Sequence, residues 1–335
     1  MINKRLLLLW MVSILILPAC SKPTYERSGI NIFHKDKNLL LEFIPETPTK
    51  LSSLIDSDNS VIIINNDGRM IEEDSDFDLK VEGAAIVAKK GNSLIAEDVI
   101  SVYSGEDISR VGILYHDMNN FLKENQRVLA VLLDGFSYEQ FSRLRDDGRI
   151  PFLSSIFKEK AISVYMPVTN SGFASIITGT LPQENGVYNR FFRDIKVKSI
   201  FKDVLEMDKK AILLEGDIKV LNTEIEPILH VDSNKDQDVD DEIYESAIAY
   251  MDKDMDLIFI HFHGIDDRGH SYGPYADETF NYIEKIDSYM QNLNELWDGV
   301  IVATADHGMY EKNQAGDHGE SRYEDMIVPY FLKEN

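Results

Sequence analysis

Asp256-Leu257-Ile258-Phe259-Ile260-His261-Phe262-His263-Gly264-Ile265-Asp266-Asp267-Arg268-Gly269-His270 begins as an apolar strand and runs into residues that ligate metals. An apolar run this continuous suits a strand covered on both faces, as in parallel sheets flanked by helices. Asp266 and His270 stand four apart on what reads as a glycine-bent loop leaving that strand. Such a pair can point at one cation. His261 and His263 alternate, so they share a strand face and read as core or as support for ligands rather than as ligands. Alone the motif is weak, and its weight comes from partners at other strand ends.

Val128-Leu129-Ala130-Val131-Leu132-Leu133 is a second buried-strand pattern, and it ends in Asp134-Gly135. Residues 161–168 read as a strand ending at Thr169-Asn170-Ser171-Gly172, and residues 299–305 as one ending in Asp306-His307-Gly308. Further strands are expected at 211–214 and 327–332, with helices at 138–145, 151–158, 173–178, 199–207, 241–251 and 276–297. In the last of these, Phe280, Ile283, Ile286, Met290, Leu293 and Trp297 recur at helical spacing, which is core packing. The alternation predicts an α/β fold, a doubly wound and mostly parallel sheet over residues 125–335. Ligands of such sheets gather beyond the carboxyl ends of the strands, where Asp134, Thr169, Asp266 and Asp306 all fall.

Residues 31–115 read differently, as a small β-rich module. Strand patterns at 39–44, 61–64 and 84–88 are separated by Asn66-Asp67-Gly68 and Lys90-Gly91-Asn92 turns. No cluster of catalytic residue types stands out there.

The 335 residues carry a formal net charge of −24. That balance repels long polyanions, so nucleic acid is not an expected partner, whereas a small phosphate ester is compatible if cations line the pocket. Lys4 and Arg5 precede an apolar run from Leu6 to Leu17, followed by Pro18-Ala19-Cys20. This is the pattern of a secretory leader, too short for a membrane span. Leu17-Pro18-Ala19-Cys20 also resembles a bacterial lipobox, and Cys20 is the single cysteine of the chain. The expectation is a leader at 1–19, lipidation at Cys20 and a tether over 20–30. The protein would then be exported to the cell surface or periplasm and held to the membrane by its lipid. With one cysteine there is no intrachain disulfide. The acidic run from Asp232 to Asp240 matches the first half of an EF-hand loop, but Gln237 replaces the glycine and Ile243 the bidentate glutamate. It reads as a solvated loop leading into a helix.

Residues 127–332 resemble the alkaline phosphatase superfamily, and within it the type I phosphodiesterase/nucleotide pyrophosphatase branch. Four blocks carry the resemblance in order: the strand ending in Asp134-Gly135; Thr169 with Thr178-Gly179 nine residues on and Pro182 beyond; Asp266 to His270 with Gly273-Pro274; and Asp306-His307-Gly308-Met309 followed by Gly316-Asp317-His318-Gly319. By position the resemblance implies one metal on Asp266, His270 and His318, and another on Asp134, Asp306 and His307 with Thr169 facing it as nucleophile. Three N/O ligands per ion leave a position open for substrate, and a pair of ions can clamp a phosphoryl oxygen. The donor mixture fits two divalent ions, Zn2+ first and Mn2+ as an alternative. The branch also places an asparagine after the nucleophile helix to hold a phosphate oxygen. Here Asn189 lies one residue early and Arg190 stands in the matching column, so either is a candidate substrate-binding residue. Asparagine would favour a diester, and arginine a dianionic monoester.

The expected activity is therefore phosphoryl transfer to water, as a phosphodiesterase or nucleotide pyrophosphatase, with phosphomonoester or phosphonate hydrolysis as alternatives. A sulfatase is disfavoured because Ser171-Gly172-Phe173-Ala174-Ser175 lacks the proline and arginine its motif needs. A reading of a different class is a non-catalytic surface lipoprotein that keeps metals for structure or ligand binding.

Overall fold

The computed structural model describes residues 29–34, 37–42, 47–55, 60–104 and 109–334. The leader at 1–19, the lipidation candidate Cys20 and most of the 20–30 tether lie outside them. Among the described residues no helix is long and apolar enough to cross a membrane.

Four strands with almost no solvent exposure fix the large sheet. Its order is Ser109–Arg110, Phe157–Ile162, Ile327–Lys333, Val300–Thr304, Val128–Leu133, Leu257–Phe262, Ala211–Glu215, Ile228–Leu229. Ile327–Lys333 runs antiparallel to both neighbours and every other pairing is parallel, which is the mostly parallel α/β sheet expected. Val128–Leu133 lies in the middle, and its residue Leu132 is level with both His261 and Thr304. Two residues further along, the three strands lead to Asp134, His263 and Asp306 at the same edge. Register alone thus gathers the side chains of interest.

Helices cover both faces. Tyr138–Asp146 starts at a capping box in which Ser137 Oγ accepts from the Gln140 N–H and the Gln140 side chain accepts from the Ser137 N–H. Asp277–Leu296 buries Phe280, Ile283, Ile286, Met290 and Leu293 as its spacing predicts. A helix that the sequence reading left unassigned, Ile113–Lys123, packs Leu114, Met118 and Leu122 into the main core. The large unit therefore includes the strand Ser109–Arg110 and this helix, rather than starting at 125.

Two further boundaries differ from expectation. The strand placed at 161–168 is Phe157–Ile162, and it cuts the preceding helix back to Pro151–Ile156. The helix placed at 173–178 is Thr169–Thr178, so Thr169 is its first residue rather than the end of a strand. Pro167 and extended Val168 bring the chain in, and Ser171 Oγ donates back to the Met166 and Val168 carbonyls.

The stretch read as a metal-binding loop is also helical, over Gly264–Tyr272. Its two glycines argue against a helix locally. The compensation is a distant cap: buried Asp240 accepts from the His263 N–H and the Gly264 N–H, both at 2.8 Å, and from the Tyr282 hydroxyl at 2.9 Å. A carboxylate at a helix N-terminus satisfies otherwise unpaired donors and suits the helix dipole.

The β-rich module holds a five-stranded sheet, in which Gly29–His34 and Val99–Ser104 pair in parallel, and a four-stranded antiparallel one. Between the two sheets lies a core of its own. A separate cluster joins the module to the large unit: Phe33, Ile62, Ile64, Ile100 and Tyr103 meet Ile162, Val164, Met326 and Ile327.

Asp240→Ala leaves the His263 and Gly264 N–H groups without an acceptor in a dry place, while the Tyr282 hydroxyl keeps Asp238 Oδ1 at 2.7 Å. It is expected to cost about 3 kcal/mol, read as a lower urea midpoint, with Tyr282→Phe costing about 1 kcal/mol. Equal midpoints for Asp240→Ala and the unaltered chain would remove Asp240 as the cap.

Candidate metal centre and active site

Four chain segments converge beyond the carboxyl edge of the sheet. Asp134 follows Val128–Leu133, Thr169 opens its helix, Asp266 and His270 lie one turn apart on Gly264–Tyr272, and Asp306 and His307 follow Val300–Thr304. His318 comes from the segment after the short hairpin Tyr310–Lys312 and Ala315–Asp317. Two glycines permit the approach. A Cβ on Gly135 (φ +74°) would meet Asp266 Cβ at 2.9 Å, and one on Gly172 would meet the Asp306 carbonyl oxygen at 2.4 Å.

Ligand atoms of Asp266, His270 and His318 lie within 4.8 Å of one another, the trio that the resemblance implies for one metal. The second grouping differs from the implied trio. Asp134 and His307 fall together with Asp266, while Asp306 is not in that group. Asp306 Oδ1 accepts from the Gly135 and His307 N–H groups, at 3.3 and 3.0 Å. Its Oδ2 is free, 3.6 Å from His307 Nε2. His307 Nε2 is also 3.3 Å from Asp134 Oδ1 and 3.4 Å from Thr169 Oγ1.

Two observations test whether a cation fits. First, Asp134 Oδ1, Asp266 Oδ1 and Asp306 Oδ2 are all buried without a hydrogen-bond partner. Unpaired buried carboxylate oxygens are costly unless something positive meets them. Second, the Nδ1 atoms of His270, His307 and His318 each sit on a backbone carbonyl, of Gly316, Gly308 and Pro167, at 2.9, 2.9 and 3.1 Å. A carbonyl only accepts, so Nδ1 carries the proton and Nε2 offers its lone pair to the site. Mixed carboxylate and imidazole donors in this state suit a divalent ion.

Asp134 has further support. Its Oδ2 lies 3.2 Å from Nε2 of buried His261 and 3.5 Å from Nδ1 of His263. The Gly216 N–H donates to His263 Nε2 at 3.3 Å, so the proton of a neutral His263 is on Nδ1 and goes to Asp134. Although Asp134, His261 and His263 cluster closely enough to suggest an ion, His263 thus acts as a donor there. Oδ2 is occupied and Oδ1 is left on the side of His307 Nε2, 3.3 Å away. Behind His261 stands Glu215, fully buried and 3.6 Å from Nδ1. Glu215 and Asp240 escaped the sequence reading because nothing local marks them.

The charges are tense. Burial and the Asp134 charge push Asp306 up to about 8. Burial would lower His307, but Asp306, Asp134 and Asp266 outweigh it and raise it to about 9. The Asp266 hydrogen bond raises His270 to about 9 against burial. Burial and neighbouring His307 lower His318 to about 4. Burial acts to raise Asp134, yet the His261 and His263 donors and His307 hold it below the usual range.

A cavity of about 310 Å³ opens beside Thr169, lined among others by Asp134, Asn170, Arg193, Asp217, Ile218 and Asp266. Asn189 and Arg190 are not among its lining residues. Asn189 Oδ1 accepts from the Phe191 N–H at 2.9 Å, which ties it into its own turn, and Arg190 is exposed. The cation on the cavity wall is Arg193, three residues beyond the matching column.

The chain matches the family described as type I phosphodiesterase/nucleotide pyrophosphatase over residues 128–230 and 214–323. It is 36% identical over 87 residues to GPI ethanolamine phosphate transferase 1 of Neurospora crassa, covering 24% of this chain and 8% of that one. Over 97 residues it is 33% identical to the catalytic subunit of GPI ethanolamine phosphate transferase 3 of Homo sapiens, covering 28% and 9%. The chain thus spans under a tenth of the length of these relatives. Among solved structures it is similar to murine ectonucleotide pyrophosphatase/phosphodiesterase 5 (16% identity, 56% of this chain and 59% of that chain, TM-score 0.44). It is also similar to phosphonoacetate hydrolase from Sinorhizobium meliloti 1021 (20%, 57% and 58%, TM-score 0.44). A third similar structure is the C-terminal periplasmic domain of EcEptC from Escherichia coli in complex with Zn (12%, 63% and 73%, TM-score 0.47).

Imidazoles and a carboxyl that hold protons up to about pH 8–9 without metal must give them up to bind it. Zinc uptake at pH 7 is expected to release at least one proton, read by calorimetry in buffers of different ionisation enthalpy, and affinity should climb with pH towards 9. Because Asp266 belongs to both groups, Asp266→Asn should lower bound metal more than His270→Ala does, measured by elemental analysis. The reverse order would contradict a shared Asp266.

Proposed function

Since the chain belongs to the type I phosphodiesterase/nucleotide pyrophosphatase family, we propose that it is a metal-dependent phosphodiesterase with Thr169 as nucleophile. The observation that carries this reading is the placement of Thr169 Oγ1 within 3.4 Å of His307 Nε2, beside three buried carboxylate oxygens that lack partners. Asp266, His270 and His318 would hold one divalent ion, and Asp134, Asp306 and His307 the other with Thr169 Oγ1, Asp266 standing within reach of both. Zn2+ fits this donor set best, with Mn2+ as the alternative. Bound there, the ions would supply Lewis acidity, lowering the threonine hydroxyl pKa and neutralising phosphoryl charge.

The chain's own groups set the rest. Thr169 stands at the first turn of a ten-residue helix, whose free N–H groups and dipole favour a phosphoryl group. His261 and His263 occupy Asp134 Oδ2 and so fix which oxygen faces the site. Thr169 Oγ1 bonds to phosphorus as the ester oxygen of the leaving alcohol departs, and water then cleaves the phospho-threonine, restoring the hydroxyl. Asn170 Nδ2 donates to the Phe192 and Val220 carbonyls, at 3.0 and 3.3 Å, and holds the cavity walls beside the nucleophile.

A diester is favoured over a monoester by the cavity's charge. Arg193 brings one cation, but Asp217 and Asp267 stand on the same wall and oppose a second negative charge on substrate. A phosphomonoesterase or phosphonate hydrolase is the second reading. An alcohol in place of water as final acceptor would make a transferase, a variant supported by the matched relatives' names. The non-catalytic lipoprotein reading has the intact ligand set against it. The leader and Cys20 pattern supports export and lipid anchorage at the cell surface or periplasm, with a small phosphate ester as partner and no nucleic acid.

Thr169→Ala should lower turnover of bis(4-nitrophenyl) phosphate by roughly a thousandfold or more while bound metal stays unchanged. The unaltered protein should prefer that diester to 4-nitrophenyl phosphate. Undiminished turnover in Thr169→Ala would remove the threonine from the chemistry, and a preference for the monoester would overturn the diester reading.

A further inference from the structure

The 189–193 turn carries Phe191 and Phe192, 86% and 43% exposed, at the lip of the cavity beside Thr169. It is tied to that lip at three points. Asn170 holds the Phe192 carbonyl, Arg193 donates to the Lys219 carbonyl at 3.1 Å, and the Asn222 N–H donates to the Arg193 carbonyl at 2.9 Å. The neighbouring loop adds Ile218, 56% exposed, which lines the same cavity. Phe191 gains nothing by folding alone, since its side chain stays in water, while Phe192 keeps one edge against the Tyr188 ring, centroids 5.6 Å apart, and leaves the rest of its ring open.

Charge sets this turn apart from the rest of the surface. The chain has 34 Lys+Arg against 58 Asp+Glu. Residues 190–196, however, carry Arg190, Arg193 and Lys196, all exposed, against the single acidic Asp194, whereas Lys198 is paired with Asp203 and Glu206 at 2.9 and 3.1 Å. Asp194 is itself engaged by the Asn222 side chain at 2.7 Å. A protruding aromatic pair between two arginines is too small for a stable protein interface, which buries on the order of 1,000 Å² or more. It is sufficient for a bilayer, where aromatic rings enter the headgroup boundary and cations meet anionic headgroups.

We propose that the 189–193 turn docks this face on an anionic bilayer surface, with Phe191 and Phe192 in the headgroup–acyl boundary and Arg190 and Arg193 against lipid phosphates. The adjoining cavity then receives a phosphodiester that is still part of a membrane lipid. The docking stands on the turn itself, and the lipid substrate rests on the phosphodiesterase reading.

The test places Phe191→Trp in the full-length chain, bound to phosphatidylcholine vesicles that contain phosphatidylglycerol and a bromine-labelled phosphatidylcholine. Bromine should quench emission beyond the level of the unaltered chain, which shares both of its own tryptophans, Trp10 and the buried Trp297, with the variant, and less so without phosphatidylglycerol. Quenching no greater than in the unaltered chain overturns the docking. So does lipid-independent shielding of the new indole from iodide that grows with protein concentration, which would make a second copy the occupant. Phe191→Ser should lower kcat/KM on a lipid-borne aryl phosphodiester roughly tenfold, the weight of one buried phenylalanine, and leave a soluble aryl diester unchanged. Equal loss on both substrates, or no loss on either, overturns delivery from the membrane. If the unaltered protein cleaves neither, the phosphodiesterase reading fails, and the quenching still decides the docking.

Discussion

Three carboxylates forced together in a dry place are the constraint on which the rest depends. Asp134, Asp266 and Asp306 are brought to one edge by the register of three adjacent parallel strands, and at least one oxygen of each has no partner. Like charges this close and this buried cannot all ionise without compensation. The fold supplies part of it through the His261 and His263 donors on Asp134 and the two N–H donors on Asp306. The remainder matches what divalent cations provide. The helix cap at Asp240 and the close approaches at Gly135 and Gly172 serve the same end, since each lets a ligand-bearing segment come near.

The β-rich module bears on the site through its seam. Its apolar residues pack on Ile162, Val164, Met326 and Ile327, and Ser101 and Tyr103 reach Ser321. These positions bracket Thr169 on one side and His318 on the other. A module without ligands of its own can still hold two site segments still, which is what preorganisation requires.

Much of this was legible in the chain because uninterrupted apolar runs announce buried strands, and the residues after them announce strand ends. Asp134, Asp266 and Asp306 could be placed on one edge by that rule alone. What stayed hidden was non-local. The Gly264–Tyr272 helix carries two glycines, and its cap at Asp240 lies more than twenty residues upstream. The start of the helix at Thr169 depends on back-bonding by Ser171, which no periodicity reports. Ile113–Lys123 has a readable stripe in Leu114, Met118 and Leu122, and it fell between two assigned regions. Asn189 and Arg190 rest on matching to the family's pattern; neither lines the cavity beside Thr169, whose wall carries Arg193.

Anomalous X-ray diffraction from crystals of the zinc-loaded protein decides whether the carboxylates hold a pair of ions. Two peaks about 4 Å apart are expected at the carboxyl edge of the sheet, one against Asp266, His270 and His318 and the other beside Thr169 Oγ1. Peaks absent from this edge, or an ion held elsewhere with Thr169 out of reach, would contradict that arrangement.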